Sequence, residues 1–326
     1  LEFFQFHPTA LKLEGAPCFL LSEALRGEGA VLVDSFGRSP VNNLVGKDLA
    51  PRDQVSRTLF QVMRKQGVNH IGLDLKPIGS NRAEIRFPSI LQRCRNFGLD
   101  PLNNLIPIAP AAHYWMGGIS TNLQAQTNLS GLYAVGEVAC TGLHGANRLA
   151  SNSLMECLVF ANQLQSIELA VIPKPQLENR EQKIDIYPYE LISNFNSNDL
   201  ISAIKNLRNL MWKEVGVDRS YSGMQKALNS IKVDLQTIFA EPLLGFLRNQ
   251  NHESIHQFNE PQRKHLNLLL DLYHRQITSS LILEACLFRK ESRGGHYRSD
   301  YPATIPYWQC HSRQEIGKNI STRSVK

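Results

Sequence analysis

The sequence predicts an α+β chain in which short strands and helices alternate at first and a bundle of three helices follows. Before Ala170, brief apolar runs bounded by Gly, Pro, Asn or Asp are interspersed with stretches of helical spacing. At Ala170 the character changes, and Pro173, Pro175 and Pro188 within a polar run to Asn198 read as a linker. Beyond it, Asp199 to Val215, Ser222 to Phe239 and Gln262 to Phe288 each repeat Leu or Ile at three- and four-residue intervals. That is the spacing of one helical face, and three such segments make a bundle.

At 326 residues the chain is long enough for two or three domains, each burying a core. The hydrophobic content of 42% suits a soluble globular protein. The net charge of +6, from 35 basic against 29 acidic residues, is mild and dispersed. Without the Lys/Arg stripe of a nucleic-acid binder, it points to a small anionic ligand. The six cysteines, at positions 18, 94, 140, 157, 286 and 310, include no Cys-x-x-Cys pair, which predicts reduced thiols and a cytoplasmic setting. The longest apolar region, Leu266 to Leu287, is interrupted by Asp271, His274, Arg275 and Glu284 and cannot span a membrane. No signal peptide is legible.

In chain order, Leu1 to Ala10 carries Gln5-Phe6-His7-Pro8-Thr9, where the proline keeps His7 extended. Phe19 to Arg26 reads as a short helix, with Ser22 and Glu23 one turn before Arg26. Gly27-Glu28-Gly29 ends it, and Ala30 to Asp34 reads as a strand. As a plain surface ion pair, Glu23 with Arg26 would be worth little. A polar loop from Ser35 to Asp48 leads to Leu49-Ala50-Pro51-Arg52-Asp53, which opens a helix whose stripe of Val55, Leu59, Val62 and Met63 runs down to Gly67. Arg52 in its first turn stands out, because a cation there opposes the helix dipole. His70 to Leu75 reads as a strand and Phe87 to Phe97 as a helix, with Ile90, Leu91 and Cys94 on one face and Gly98 past its end. The chain then turns back after Asp100-Pro101 through Ile106 to Gly118, a stretch that holds His113.

Gly131 to Glu156 is the stretch around which the rest is organised. Leu132 to Val135 is an apolar run suited to a buried strand that empties into a site at Gly136-Glu137. A glycine-rich loop follows, and then Ser151, Asn152 and Ser153, good N-cap residues, precede Leu154, Leu158, Val159 and Ala161 at helical spacing. A helix N-terminus directed at the strand end attracts negative charge.

His144-Gly145-Ala146-Asn147-Arg148 followed by Ser151-Asn152-Ser153-Leu154, together with Gln5 to Thr9, resembles the hallmark segments of the succinate dehydrogenase, fumarate reductase and L-aspartate oxidase flavoproteins. Arg289 to Pro302, with Glu291-Ser292-Arg293-Gly294-Gly295-His296-Tyr297, is similar to the C-terminal signature of that family, which folds back towards the flavin. Ala50-Pro51-Arg52-Asp53 and Pro110-Ala111-Ala112-His113-Tyr114 have the flavour of the aspartate oxidase branch. The loop after Ser35 departs from the family, reading Arg38-Ser39-Pro40-Val41-Asn42-Asn43 where relatives carry an Arg-Phe-Met-like segment.

The resemblance implies a capping domain over residues 1–115, a returning segment of an α/β FAD-binding domain with a linker over 116–185, and a helical C-terminal domain over 186–326. Family members carry a Gly-x-Gly-x-x-Gly turn near their N-terminus to hold the dinucleotide pyrophosphate. This sequence contains none and opens at Leu1 already inside a motif, so a substantial upstream segment is expected.

Roles follow from the resemblance as well. FAD, held non-covalently, would meet Glu137 at its ribityl part and Ser153 with Leu154 at the isoalloxazine edge. His7, Ser22, His113 and Arg148 would grip the two carboxylates of L-aspartate, a task suited to a guanidinium fork. Arg52 would be the proton donor or acceptor, served by Glu23 and Arg26. A guanidinium pKa above about 12 makes that role demanding and calls for a dry site with several neighbouring charges. The implied reaction is oxidation of L-aspartate to iminoaspartate by hydride transfer to FAD, which oxygen or fumarate reoxidises, with quinolinate synthase consuming the product on the way to NAD. Two alternatives stay open: a fumarate reductase or succinate dehydrogenase flavoprotein, or a non-catalytic fragment unable to hold FAD alone.

One motif competes. His252-Glu253-Ser254-Ile255-His256 satisfies the zinc pattern His-Glu-x-x-His, which needs a buried helix. Its setting between Asn249-Gln250-Asn251 and Gln257, Asn259 and Pro261 is polar and broken, so no metal site is expected there.

Overall fold

The computed structural model describes residues 1–168, 184–186, 193–248 and 255–325. These form two compact units, one of Phe3–Phe160 with Ser292–Tyr297, the other of Leu1–Glu2, Ala161–Glu291 and Arg298–Lys326. Both mix helix and strand, in keeping with an α and β chain.

In the first unit the elements are β1 (Phe3–Leu11), α1 (Glu23–Gly27), β2 (Val31–Val33), α2 (Arg52–Gln66), β3 (Ile71–Asp74), α3 (Ser80–Arg86), α4 (Pro88–Asn96), β4 (Ile106–Met116), β5 (Ile119–Ser120), β6 (Ala139–Cys140) and α5 (Asn152–Gln163). An antiparallel sheet in the order β1-β4-β3-β2 is its centre. Leu21, Leu25, Leu32, Leu59, Ile71, Leu73, Leu91 and Ile106 fill the core, each at most 1% exposed. The α2 stripe supplies Val55 and Leu59, and Ser56 in the same stripe donates its hydroxyl to the Phe6 carbonyl at 3.2 Å, fixing the helix on β1. Gly67, with φ of +66°, closes α2 in the left-handed conformation that glycine adopts without strain.

Several elements differ from the sequence reading. The first helix starts at Glu23 instead of Phe19, because the Ser22 hydroxyl accepts the Ala24 amide as an N-cap. Ile106 to Met116, expected only as a returning stretch, is the longest strand among the described residues, although Pro107 and Pro110 interrupt its donors. Leu132 to Val135, expected as a buried strand, is held by one isolated bridge from Gln126 to Tyr133. Ala134 is buried but Leu132 is 44% exposed, so little apolar burial fixes the run as a ladder strand.

The second unit holds β7 (Ile184–Ile186), α6 (Ser197–Val215), α7 (Tyr221–Phe239), α8 (Pro242–Arg248), β8 (Ile255–Gln257), α9 (Glu260–Phe288), β9 (Cys310–Arg313) and β10 (Ser321–Ser324). α9 packs against both α6 and α7, burying Leu207, Ile231, Leu269 and Leu283. Capping boxes start α6, from Asn196 and Asp199, and α9, from Asn259 and Gln262. Arg289 is fully buried behind α9, donating to Glu2 at 2.6 Å and Glu291 at 2.9 Å. Most of the expected linker lies outside the described residues. Among the described residues no helix is long and apolar enough to cross a membrane.

Candidate active site

β1 and β4 each deliver a histidine to one place, where the rings of His7 and His113 meet edge to face with centroids 5.5 Å apart. The pairing of these strands shifts register between His7 and Ala10, around Pro8, which has no N–H to give the ladder. Such irregularities re-aim side chains. His7 is 3% exposed, and Thr9 turns its amide and hydroxyl to His7 Nδ1 at 3.3 Å. Burial, then the charges of Arg52 and His113, push the His7 pKa down to about 3, so its ring is neutral at pH 7. Burial and the charges of Arg148 and Arg52 lower that of His113 too.

Two arginines join them. Arg52 opens α2, where its Nε donates to Glu23 Oε2 at 2.6 Å and its Nη1 to Gln5 Oε1 at 3.2 Å. These acceptors offset the unfavourable dipole of a helix start. Arg148, 6% exposed, donates Nη2 to the same Gln5 oxygen at 2.8 Å and lies over the Tyr114 ring at 4.5 Å. Burial, followed by the charge of Arg52, lowers the Arg148 pKa. From Arg52 the charges continue through Glu23 to Arg26 Nη2, 3.9 Å from the carboxylate. Arg26 is 3% exposed and also donates to the Asp48 carbonyl. Burial lowers its pKa against the opposing pull of Glu23 and Asp48.

His7, His113, Arg52, Arg148, Glu23 and Arg26 are therefore one cluster. Ser22 stands outside it, exposed, with its hydroxyl taken by the Ala24 amide at 3.2 Å. Ser153 accepts from Arg148 Nη1 at 3.3 Å, and Glu137 accepts the Trp115 amide at 2.9 Å. The Leu154 amide is bonded to the Ser151 carbonyl at 3.1 Å, and its side chain is 66% exposed.

Two groups of residues escaped the sequence reading. Gln5, 2% exposed, bridges the arginines through its oxygen while its Nε2 donates to Asn147 Oδ1 at 3.1 Å and to the Arg148 carbonyl at 2.7 Å, which saturates the amide. The second group surrounds Glu156, 3% exposed, whose carboxylate accepts from Thr141 at 2.6 Å and Tyr114 at 3.3 Å and lies 2.8 Å from His144 Nε2. Burial and this carboxylate push the Tyr114 pKa up, so the phenol keeps its proton and its ring face stays available to Arg148. A glutamate on the buried side of a helix that exposes Leu154, Met155 and Leu158 was the available signal.

The loop fits a large polar ligand. His144 Nδ1 and Arg148 Nε are buried without a protein partner, a need such a ligand would meet. Gly118, with φ of +133°, passes so close to the 136–138 turn that a Cβ would fall 2.2 Å from the Val138 carbonyl. Among the described residues no cluster of His, Cys, Asp or Glu could hold a metal. His252, Glu253 and Ser254 lie outside the described residues, and the backbone of His256 belongs to β8.

Residues 1–154 match the family described as FAD binding domain, and residues 247–324 the family described as fumarate reductase flavoprotein C-term. Both matches are to flavoprotein families, the first of them described by its FAD binding. Over most of its length the chain is similar to L-aspartate oxidases. It is 44% identical to that of Nostoc sp. over 322 residues, 96% of this chain and 55% of the relative. The L-aspartate oxidase of Synechocystis sp. is 41% identical, over 96% of this chain and 57% of the relative. That of Vibrio cholerae is 36% identical, over 93% and 53%. The chain thus spans about half the length of the curated relatives it matches. Among solved structures it is similar to an E. coli quinol fumarate reductase chain, with a TM-score of 0.75 and 27% identity over 99% of this chain and 58% of that one. A quinol-fumarate reductase with menaquinol molecules gives 0.76 and 25%, over 100% and 59%.

Proposed function

We propose that this chain carries the substrate clamp and proton route of an FAD-dependent L-aspartate oxidase, which converts L-aspartate to iminoaspartate. The observation that supports this most is the convergence of two arginines on one buried glutamine beside a pair of histidines in ring contact, with pKa values lowered at His7, His113 and Arg148. Such a cluster suits a dianionic four-carbon acid. Arg148 takes one carboxylate with its planar fork, and neutral His7 and His113 donate to carboxylate oxygens without adding charge. Bound FAD supplies the hydride acceptor. Arg52 moves the proton that the oxidation releases, with Glu23 Oε2 on its Nε and Arg26 beyond it in the relay. Ser22 would join the clamp only after surrendering its cap to Ala24.

Glu137, Ser153 and Leu154 are the proposed FAD contacts of this chain. We assign residues 1–115 to a capping domain, 116–185 to the returning segment of the FAD domain and 186–326 to the helical domain. Fumarate or oxygen would be the acceptor and quinolinate synthase the consumer of product. The likeness to fumarate reductase structures supports a second reading, reduction of fumarate at the same clamp. Anaerobic titration of the FAD-loaded protein separates the two. L-aspartate should bleach the flavin while succinate binds without bleaching; bleaching by succinate alone would transfer the assignment to the second reading.

A further inference from the structure

The hairpin tip Ser292–Tyr297 packs within the first unit, although its flanks on both sides belong to the second. Arg293 and His296 close the turn by exchanging backbone hydrogen bonds of 2.8 and 2.9 Å, leaving Gly294 and Gly295 at its apex. The Gly295 amide donates to the Ala146 carbonyl at 3.0 Å, two residues before Arg148. Gly294 has φ of +50°, and a Cβ on it would fall 2.2 Å from that same carbonyl. The backbone of Gly295 also lies on the carbonyl of Phe4, next to Gln5. His296, fully buried, meets the Phe3 ring edge to face at 6.2 Å, and the Tyr297 ring carries the guanidinium of Arg57 at 4.6 Å. Arg57 stands on α2, the helix that Arg52 opens.

One six-residue turn therefore touches the three elements that hold the two arginines and their glutamine: the loop of Arg148, the strand of Gln5 and the helix of Arg52. We propose that Ser292–Tyr297 is a positioning clip that sets the relative placement of Arg148, Gln5 and Arg52, with Gly294 and Tyr297 its working residues. Its action is to hold three backbones in register, so it governs how well two fixed carboxylates are received. The proposal rests on the clamp reading given above.

The test is a double-mutant cycle in FAD-loaded holoenzyme, with succinate as the probe and its Kd read from the flavin spectrum and by calorimetry. Gly294→Ala should raise that Kd about tenfold, because the strain it forces on the Ala146 carbonyl displaces the arginine loop. Tyr297→Leu should raise it by a smaller factor. FAD content should be unchanged in both. In an Arg148→Ala background neither substitution should weaken succinate further, since the clip then has nothing left to place. Additive losses, or losses of FAD in parallel with succinate, would show a general structural role and overturn the proposal. Should Gly294→Ala not fold, the Tyr297→Leu cycle decides alone. If Arg148→Ala itself leaves succinate binding intact, the clamp reading fails and the clip falls with it. Coupling lost while Arg148→Ala still weakens binding removes the clip only.

Discussion

Gln5→Leu is the most telling single substitution the site offers, since leucine nearly matches glutamine in size and removes every polar contact at once. Four hydrogen bonds go: to Arg148 Nη2 at 2.8 Å, the Arg148 carbonyl at 2.7 Å, Arg52 Nη1 at 3.2 Å and Asn147 Oδ1 at 3.1 Å. The two to Arg148 are fully buried, so each leaves an orphaned group costing about 1–3 kcal/mol. The two to Arg52 and Asn147 are partly buried and count for little. Like charge on the two arginines then pushes them apart, with the oxygen that held both gone. A total of about 3 kcal/mol, or roughly a hundredfold in an equilibrium constant, should be divided between folding and dicarboxylate affinity. Urea unfolding and a succinate titration of the FAD-loaded protein measure the two shares. If both stay within a factor of two of the parent, the bridging role of Gln5 is wrong.

Three other outcomes follow from the same geometry. Arg52→Lys should cut turnover by about 10² to 10⁴ while succinate binding weakens much less, whereas Arg148→Lys should chiefly weaken binding; equal losses of both quantities for Arg52→Lys would make it a second clamp. Unfolded His7 takes its proton near 6.5 and the folded residue only near about 3, so stability is full above pH 6.5 and falls as the pH drops towards 3. Denaturation of parent and His7→Gln at pH 7 and 5 should show a shallower pH dependence in the variant, by up to about 1.4 kcal/mol per pH unit, and identical slopes would contradict a buried neutral ring. Glu156→Gln should keep the fold and lower succinate affinity severalfold through Tyr114, as binding isotherms would report; an unchanged affinity would separate Glu156 from Arg148.

Much of the cluster was legible because its residues sit in short local motifs. Arg52 was noticed for a local reason, a cation where the helix dipole disfavours one, and the compensating Glu23 and Gln5 explain how it is tolerated there. The helices were legible from apolar spacing and caps: Asp199 to Val215 is observed as Ser197–Val215, and Gln262 to Phe288 as Glu260–Phe288. Strands fared worse. β4 alternates buried and less buried residues, yet Pro107 and Pro110 mask that period, and Leu132 to Val135 imitates a strand through composition alone. Gln5 was hidden because its partners stand 142 and 143 residues away, a separation that no pattern within a window records. Glu156 was hidden by its helix, whose leucines face outward while its one acid is buried.

The placement of the Gly294–Gly295 turn against Ala146 also bears on the order of events on the ribosome. At about 5–20 residues per second, the turn emerges on the order of 10–30 s after the loop it closes upon. Through that interval the sheet and α2 already have all their residues, so the first unit can collapse with its arginine loop unfastened. Refolding from denaturant should retrace this sequence, with far-ultraviolet dichroism recovering ahead of the ability to bind succinate. Proteolytic cutting in the loops after α9 would then disarm the site while leaving the sheet that carries it intact.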